Sequence, residues 1–261
     1  MDSNSQYNIR AAERTLKILQ LFKDTNTGFT LTELSMLSGL NKSTVLRFVN
    51  TLKENNFLKY NEENKKYTLG FMMFILGNAA FESLDIIKFA ASYLEEASNK
   101  TNLISHLGIL DGSHVLIVNK IWPAEKKDFI KMVSEVGGIV PAHCTGVGKV
   151  LLSGKSDEYI KSIFKDQVFK IYSEHTAKNV DELLDKIHKV RVNGYAVNFG
   201  EHEPYIKCIT YPVYDVKNEI TAAVSLTGLI EEYKKLDEDF IHSILKDTTL
   251  NISRQLGYRK I

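Results

Sequence analysis

The N-terminal part of the chain contains stretches in which apolar positions recur every three or four residues, the spacing of one helix face. This spacing predicts a first amphipathic helix from Ile9 to about Phe22. Thr30 and Glu33 then have the S/T-x-x-E spacing of a capping box. A second helix is therefore predicted from Leu31 to about Ser38.

A third helix is predicted after a turn at Gly39, with Asn41 as its N-cap. Two short helices joined by a glycine-containing turn are typical of a helix-turn-helix. The apolar stripe of the third helix consists of Val45, Phe48, Val49 and Leu52. Its opposite face offers hydroxyls and cations for phosphates and a guanidinium for guanine. The candidate DNA contacts on this face are Lys42, Ser43, Thr44, Arg47, Asn50 and Thr51.

Two short strands, Phe57–Tyr60 and Lys66–Leu69, are predicted on either side of a polar turn. A hairpin directly after the third helix is a wing, and Lys65 in its turn is a further candidate DNA contact. The alternative is a small helical bundle whose third helix has an ordinary polar face. The order of capping box, glycine turn, basic helix and hairpin favours the winged helix-turn-helix.

The next segment, from Leu69 to about Ser83, is apolar almost all round. A helix of this kind is not stable when exposed on a monomer, so we expect it to be buried between domains or against a second subunit. The predicted organisation is a winged helix-turn-helix domain over 1–68, a linker helix over 69–83 and a second domain over 84–261.

The second domain alternates short strands with helices, and several consecutive strands are joined by hairpin turns. This order predicts an α+β domain in which helices flank an antiparallel sheet. The predicted strands are Leu103–Leu110, His114–Ile121, Phe129–Ser134, Gly194–Asn198, Ile206–Tyr214 and Ile220–Thr227. The predicted helices are Leu84–Asn99, Gly146–Leu152, Asp157–Phe164, Asp181–Val192 and about Leu236–Leu256.

Composition indicates a globular protein, with 44% hydrophobic and 25% charged residues. The net charge of +1 neither favours nor excludes nucleic acid as a partner. The longest apolar run, Phe71–Phe81, is shorter than the roughly 20 residues of a membrane span. Met1–Gln6 lacks the features of a signal peptide, so a cytoplasmic protein without a membrane partner is expected.

Cys144 and Cys208 lie far apart and outside any C-x-x-C spacing, so reduced thiols are expected and neither a metal site nor a cofactor is predicted. Two alternatives involve these residues. One is an enzyme, a C-terminal domain with hydrolytic activity and a cysteine nucleophile, using Cys144 beside His143 or Cys208 with His202. The other is a redox-sensing regulator in which the two thiols approach each other.

A small-molecule site is indicated where Thr145–Gly148 opens a helix, because free N–H groups and the helix dipole favour an anion. The strand alternation can also direct Cys208, Ser225 and Thr227 to one face. The alternative for these three residues is a packing role, as a small core thiol and as hydroxyls bonded to backbone.

Several motifs of this chain resemble the IclR family of bacterial regulators. Gly39–Arg47 fits G-L-x-K-S-T-x-x-R, except that Asn41 stands where the family often has proline. Pro141–Leu152 fits P-x-H-x-T-x-x-G-K-x-x-L. Further similar segments are Ala12–Leu19, Leu31–Leu34, Tyr67–Gly70, Gly194–Val197, Glu203–Ile209, Pro212–Asp215 and Ala222–Gly228.

The resemblance implies a transcriptional regulator, expected to be a repressor, that binds double-stranded operator DNA as a homodimer or a tetramer. It also implies that 84–261 is a GAF-like domain for a small effector, such as an organic or sugar-derived acid. The implied effector contacts are Gly146, Val147, Asn198, Ile206, Cys208, Ser225 and Thr227. Family members commonly carry Asp at the position of Asn198. Since Asn can donate a hydrogen bond and does not repel a carboxylate, the effector can differ from those of better-known members.

Overall fold

The computed structural model describes residues 9–25, 27–82, 85–125 and 134–259. The chain divides into two compact units, 1–84 and 85–261. The N-terminal segment Met1–Gln6 and, apart from Ser134, the predicted strand Phe129–Ser134 lie outside the described residues. In the described part of the chain, no helix has both the length and the apolar character needed to cross a membrane.

The first unit begins with three helices, α1 (Arg10–Gln20), α2 (Leu31–Ser38) and α3 (Lys42–Glu54). The capping box of α2 is confirmed: the backbone N–H of Glu33 donates to Thr30 Oγ1, and Thr30 N–H donates to Glu33 Oε2 at 2.7 Å. Both bonds satisfy N–H groups that a helix start leaves without intrahelical partners.

The turn between α2 and α3 also forms as predicted. Gly39 has φ of +69°, the left-handed region that glycine adopts without steric cost. Asn41 Oδ1 accepts a hydrogen bond from the backbone N–H of Thr44 at 2.8 Å and so caps α3. Phe48 is partly buried against the core of the unit. That core consists of Ile18, Phe22, Leu34, Val45, Val49, Leu52, Leu58 and Tyr67.

The predicted wing is an antiparallel hairpin of β2 (Leu58–Asn61) and β3 (Lys66–Leu69). A short strand, β1 (Phe29–Thr30), pairs with the other edge of β3. The sequence did not predict β1, because two residues are too few to show an alternation. Lys65, at the end of the hairpin turn, has φ of +57°.

The helix predicted as a linker, α4 (Phe71–Glu82), starts later than the predicted Leu69, because Leu69 still belongs to β3. It is apolar around its circumference and carries exposed large side chains, including those of Phe71, Phe74 and Ile75. Leaving such apolar surface exposed to water, rather than burying it, costs about 25 cal/mol per Å².

In the second unit, six strands of the described residues form one antiparallel sheet in the order β6-β5-β4-β9-β8-β7. Neighbouring strands in this order run antiparallel. The strands are β4 (Ile104–Asp111), β5 (His114–Ile121), β6 (Ile139–Pro141), β7 (Ala196–Phe199), β8 (Ile206–Tyr214) and β9 (Ile220–Leu229). The short edge strand β6 was not predicted.

Helices cover both faces of this sheet. They are α5 (Asp85–Thr101), α6 (Gly146–Ser153), α7 (Asp157–Phe164), α8 (Val180–Asn193), α9 (Ile230–Tyr233) and α10 (Glu238–Gln255). Ser105 of β4 donates to a carbonyl of α5, and Tyr211 of β8 contacts His242 of α10. The other face, with Cys208 and Thr210, packs against α6. The α+β class, the winged helix-turn-helix and the antiparallel sheet flanked by helices are confirmed.

Candidate functional site

The predicted DNA-contacting residues of α3 lie along one helix face. Lys42, Ser43, Arg47 and Thr51 are exposed, whereas Thr44 and Asn50 are half-buried. Two of the hydroxyls have local partners: Ser43 donates to Asn41 Oδ1 and Thr51 to the carbonyl of Arg47. Lys65 is exposed at the tip of the wing, 3.7 Å from Glu62. The cationic side chains of Lys42, Arg47 and Lys65 are therefore exposed on the helix and the wing.

Two rows of side chains cross the sheet of the second unit on its α6 face. The first row runs through the paired positions Asn198, Cys208, Thr227 and Ile104. The second runs through Thr210, Ser225, His106 and Lys120. Directly opposed residues of an antiparallel pair project to the same side, so these rows make a polar wall within an otherwise apolar sheet.

A cavity of about 70 Å³ lies against this wall. All seven residues implied as effector contacts line it, although they come from four separate segments. The complete lining is His106, Ile117, Ser134, Val140, Cys144, Thr145, Gly146, Val147, Asn198, His202, Glu203, Ile206, Cys208, Ser225 and Thr227. Among the described residues, neither Lys nor Arg contributes to this lining.

The start of α6 forms one side of the cavity. Thr145 Oγ1 accepts a hydrogen bond from the backbone N–H of Gly148. Gly146 and Val147 are the first two residues of the helix, so their N–H groups have no acceptor inside the helix. A Cβ on Gly146 would come within 2.6 Å of Thr210 Oγ1 and 2.9 Å of Cys208 Sγ. Glycine at this position therefore lets the helix start approach the sheet.

Asn198 lines the cavity, but its amide also binds the protein itself. Its Nδ2 donates to the carbonyl of Cys144 at 2.7 Å, and its Oδ1 accepts from the backbone N–H of Glu201 at 3.2 Å. The side chain thus joins β7 to the segment before α6. An aspartate could not make the first of these bonds when ionised, since it lacks a donor.

Glu201 is buried beside the cavity between two lysines. Its carboxylate is paired with Lys149 of α6, and its second oxygen lies 2.9 Å from Lys186 Nζ of α8. The side chains of Lys149 and Glu201 are only 3% and 5% exposed. Because His202 and Glu203 follow directly and line the cavity, this cluster holds the loop that carries them.

Sequence reasoning did not identify His106, Ser134, His202 and Glu203 as lining residues. His106 Nε2 lies 3.1 Å from Ser134 Oγ. Burial and the neighbouring Lys120 ammonium lower the pKa of His106 to about 3, so its ring is neutral at neutral pH. In the sequence, His106 stands out only as a histidine within the predicted apolar strand Leu103–Leu110. That position does not indicate which residues it contacts.

The contacts around Cys144 do not match a nucleophile paired with His143. His143 Nε2 lies 3.1 Å from the carbonyl of Lys170, and the Cys144 thiol faces the carbonyl of Pro141 at 3.8 Å. Burial raises the pKa of Cys144 to about 12 and also raises that of Cys208. Both thiols are therefore neutral and weakly nucleophilic. The described residues also include no group of three or more His, Cys, Asp or Glu that could hold a metal ion.

We expect the thiols to resist alkylation in the folded protein. At pH 8 a thiol with a pKa of about 12 is ionised in roughly one molecule in ten thousand, and reactivity should rise only as the pH approaches that value. Intact mass after iodoacetamide should show no adduct on the native chain and two adducts in denaturant. Rapid labelling of the native chain at pH 8 would contradict this reading.

The substitution Glu201→Gln should destabilise the second unit by about 3–5 kcal/mol, because it leaves the buried Lys149 ammonium without its carboxylate. Urea unfolding followed by emission of Trp122, the single tryptophan of the chain, measures this loss. The control is Glu96→Gln, which removes an exposed partner of Lys100 and should cost at most about 0.5 kcal/mol. Equal losses in the two variants would contradict a structural role for the buried cluster.

Comparisons with known proteins agree with both units. Residues 11–62 match the IclR helix-turn-helix domain, and residues 78–254 match the family described as bacterial transcriptional regulator IclR C-terminal. The HTH-type transcriptional regulator XynR of Escherichia coli (strain K12) is 31% identical over 250 residues, 96% of this chain and 98% of that protein. KdgR of Dickeya chrysanthemi, also an HTH-type transcriptional regulator, is 32% identical over 228 residues, 87% of this chain and 74% of that protein.

A solved structure shows the same fold. An IclR homologue from Microbacterium hydrocarbonoxydans, complexed with 4-hydroxybenzoate, superposes with a TM-score of 0.82 at 19% identity, covering 94% of this chain and 98% of that one. With family matches over both units and relatives that are transcriptional regulators, the chain belongs to the IclR family of DNA-binding transcriptional regulators with a C-terminal effector-binding domain.

Proposed function

We propose that this protein is a homodimeric repressor whose affinity for operator DNA is controlled by a small carboxylate-bearing metabolite. In this proposal, 1–68 bind DNA, 69–83 link the two functions, and 84–261 bind the effector. The observation that carries the proposal is the convergence of all seven implied effector contacts on one cavity in the unit that follows a helix-turn-helix.

The DNA contacts are assigned to α3 and the wing. Arg47 can donate two hydrogen bonds to guanine O6 and N7, and Lys42, Ser43 and Lys65 can contact phosphates. Thr44, Asn50 and Thr51 complete the set on the same helix. A single helix and wing read few base pairs, so two copies bound to a symmetric operator provide the selectivity.

The effector contacts are assigned to Gly146, Val147, Asn198, Ile206, Cys208, Ser225 and Thr227. An acid is favoured as the class of effector because the N–H groups that open α6 can donate to ligand oxygens, and their partial positive charge stabilises negative charge in the cavity. The Ser225 and Thr227 hydroxyls lie 3.3 Å apart on the sheet and can bind ligand oxygens. The related protein from Microbacterium hydrocarbonoxydans, complexed with the carboxylate 4-hydroxybenzoate, supports this class of effector.

Control of DNA affinity requires that the effector bind two arrangements of the dimer with different affinity. The change in DNA affinity then equals that difference, ordinarily 1–3 kcal/mol. Carboxylates that lower operator affinity act as inducers of a repressor.

The contacts to DNA are tested by fluorescence anisotropy on DNA from upstream of the protein's own gene, with nonspecific competitor and stepped salt. Arg47→Ala should cost about 1–3 kcal/mol and relax base preference, whereas Lys42→Ala should weaken binding to all sequences and reduce the salt slope by about one. Lys100→Ala, an exposed cation of the second unit, is the matched control and should bind like wild type.

If Arg47→Ala and Lys42→Ala both bind like wild type, the assignment of α3 as the recognition helix is wrong. Adding small carboxylates to the same assay tests the effector, and release of the operator is the expected response. In cells, Arg47→Ala should raise transcription of the target gene if the protein is a repressor, and lower it if the protein is an activator.

The proposed dimer is tested through α4. Phe74→Glu places a charge on the exposed apolar face of this helix, which we expect to be covered by a second copy, and should convert the dimer to a monomer. Sedimentation velocity measures the change. Val168→Glu, at another exposed apolar residue, is the control and should remain dimeric. A dimer that persists in Phe74→Glu would place the interface elsewhere.

A further inference from the structure

A β-bulge brings a lysine to the cavity side of the sheet. The pairing of β4 with β5 shifts between Leu107 and Gly108, so that Gly108 opposes Ile117 while His106 opposes Lys120. Ile117 and His106 both line the cavity. The extra residue of the bulge lets Ile117 and Lys120, three positions apart, project to the same face.

Lys120 is a buried cation with an exposed partner. Its side chain is 2% exposed and its Nζ lies 2.6 Å from Glu135 Oε1, whereas the Glu135 side chain is largely exposed. The same Nζ lies 5.0 Å from the ring centroid of Trp122. Glu135 can therefore return to water at little cost, but Lys120 requires an anion where it is.

Ser134, the residue before Glu135, is hydrogen-bonded to the row of side chains that contains Lys120. Ser134 bonds to His106, the cross-strand partner of Lys120, and both Ser134 and His106 line the cavity. The described lining itself contains no Lys or Arg and includes Glu203. Lys120 lies opposite His106 on the neighbouring strand and is therefore a cation at the border of the cavity, although it is not itself part of the described lining.

From this arrangement we propose that Lys120 receives the carboxylate of the effector, and that the Glu135 carboxylate is the group it displaces. This inference rests on the proposed function, since it concerns a carboxylate in the same cavity. It makes Lys120 the residue that selects acids over their neutral analogues. It also makes effector binding change the contact that holds Ser134 and Glu135 against the sheet.

The test measures binding of acid and amide pairs to the full-length protein by calorimetry and by Trp122 emission. The pairs are glycolate and glycolamide, lactate and lactamide, and 4-hydroxybenzoate and 4-hydroxybenzamide. In wild type an acid should bind more tightly than its amide and change Trp122 emission, because the ammonium near that ring exchanges its partner. Lys120→Met should weaken acid binding by about ten- to a hundred-fold and leave amide binding unchanged.

A second variant, Glu135→Gln, should tighten acid binding by about two- to five-fold, since it removes an exposed competing carboxylate. The control is Lys207→Met. Like Lys120, Lys207 has a shielded side chain (12% exposed), an acidic partner in Glu238, and an aromatic ring, that of Tyr233, 5.0 Å from its Nζ. It differs because it precedes Cys208 on β8 and therefore projects to the opposite face of the sheet, away from the cavity. It should bind acids like wild type.

Acid binding that survives in Lys120→Met, or that falls together with amide binding, would overturn the inference while leaving the carboxylate effector in place. Weaker acid binding in Glu135→Gln would also overturn it, because Glu135 would then be supporting the site. If wild type binds none of the acids, the carboxylate effector and this inference fail together.

Discussion

The neutralisation of one buried carboxylate governs the geometry of the second unit. Glu201 is nearly inaccessible to water and lies between the ammonium groups of Lys149 and Lys186. An ion pair at such a position stabilises the fold only if its geometry is well satisfied, since each charge has lost its hydration. The position of Lys149 is fixed by α6, which can approach the sheet because Gly146 lacks a side chain and can pack against the segment before it because Gly148 does. A Cβ on Gly148 would lie 2.2 Å from the carbonyl oxygen of Ala142.

This constraint explains why the described cavity lining is polar yet contains neither Lys nor Arg. The lysines nearest the helix start are committed to Glu201, and the amide of Asn198 is committed to Cys144 and Glu201. What remains toward the cavity are hydroxyls, helix N–H groups, Glu203, and the two histidines His106 and His202, whose pKa values are lowered by burial. Groups of this kind select a ligand by hydrogen-bond geometry, because each unsatisfied one costs about 1–3 kcal/mol. The thiols of Cys144 and Cys208 fill the remaining space as inert small groups.

Whether a feature of this structure could be predicted from the sequence depends on how far apart in the chain the residues that determine it lie. The capping box at Thr30, the left-handed Gly39 and the Asn41 cap are decided within four residues of chain, and all three formed as predicted. The effector contacts were inferred from a family resemblance, and strand alternation supported only Cys208, Ser225 and Thr227. The pairing register that sets Asn198 beside Cys208 cannot be read from either strand alone. The places of His106 and Lys120 depend on a bulge, which leaves no mark in the local pattern.

The same bulge bears on how an effector could alter the protein. A ligand shifts an equilibrium only through contacts that differ between two states. Most of the lining residues belong to strands of the sheet or to the start of α6, which strand pairing and the Glu201 cluster hold in place. Ser134 and Glu135 differ because each is held by one side-chain contact, a hydrogen bond between Ser134 and His106 and an ion pair of Glu135 with Lys120. One of these contacts is an ion pair with an exposed carboxylate, which is easily exchanged. A ligand that competes for His106 or Lys120 therefore acts on the side of the cavity whose contacts are most easily exchanged. Binding on that side can lead to a conformational change.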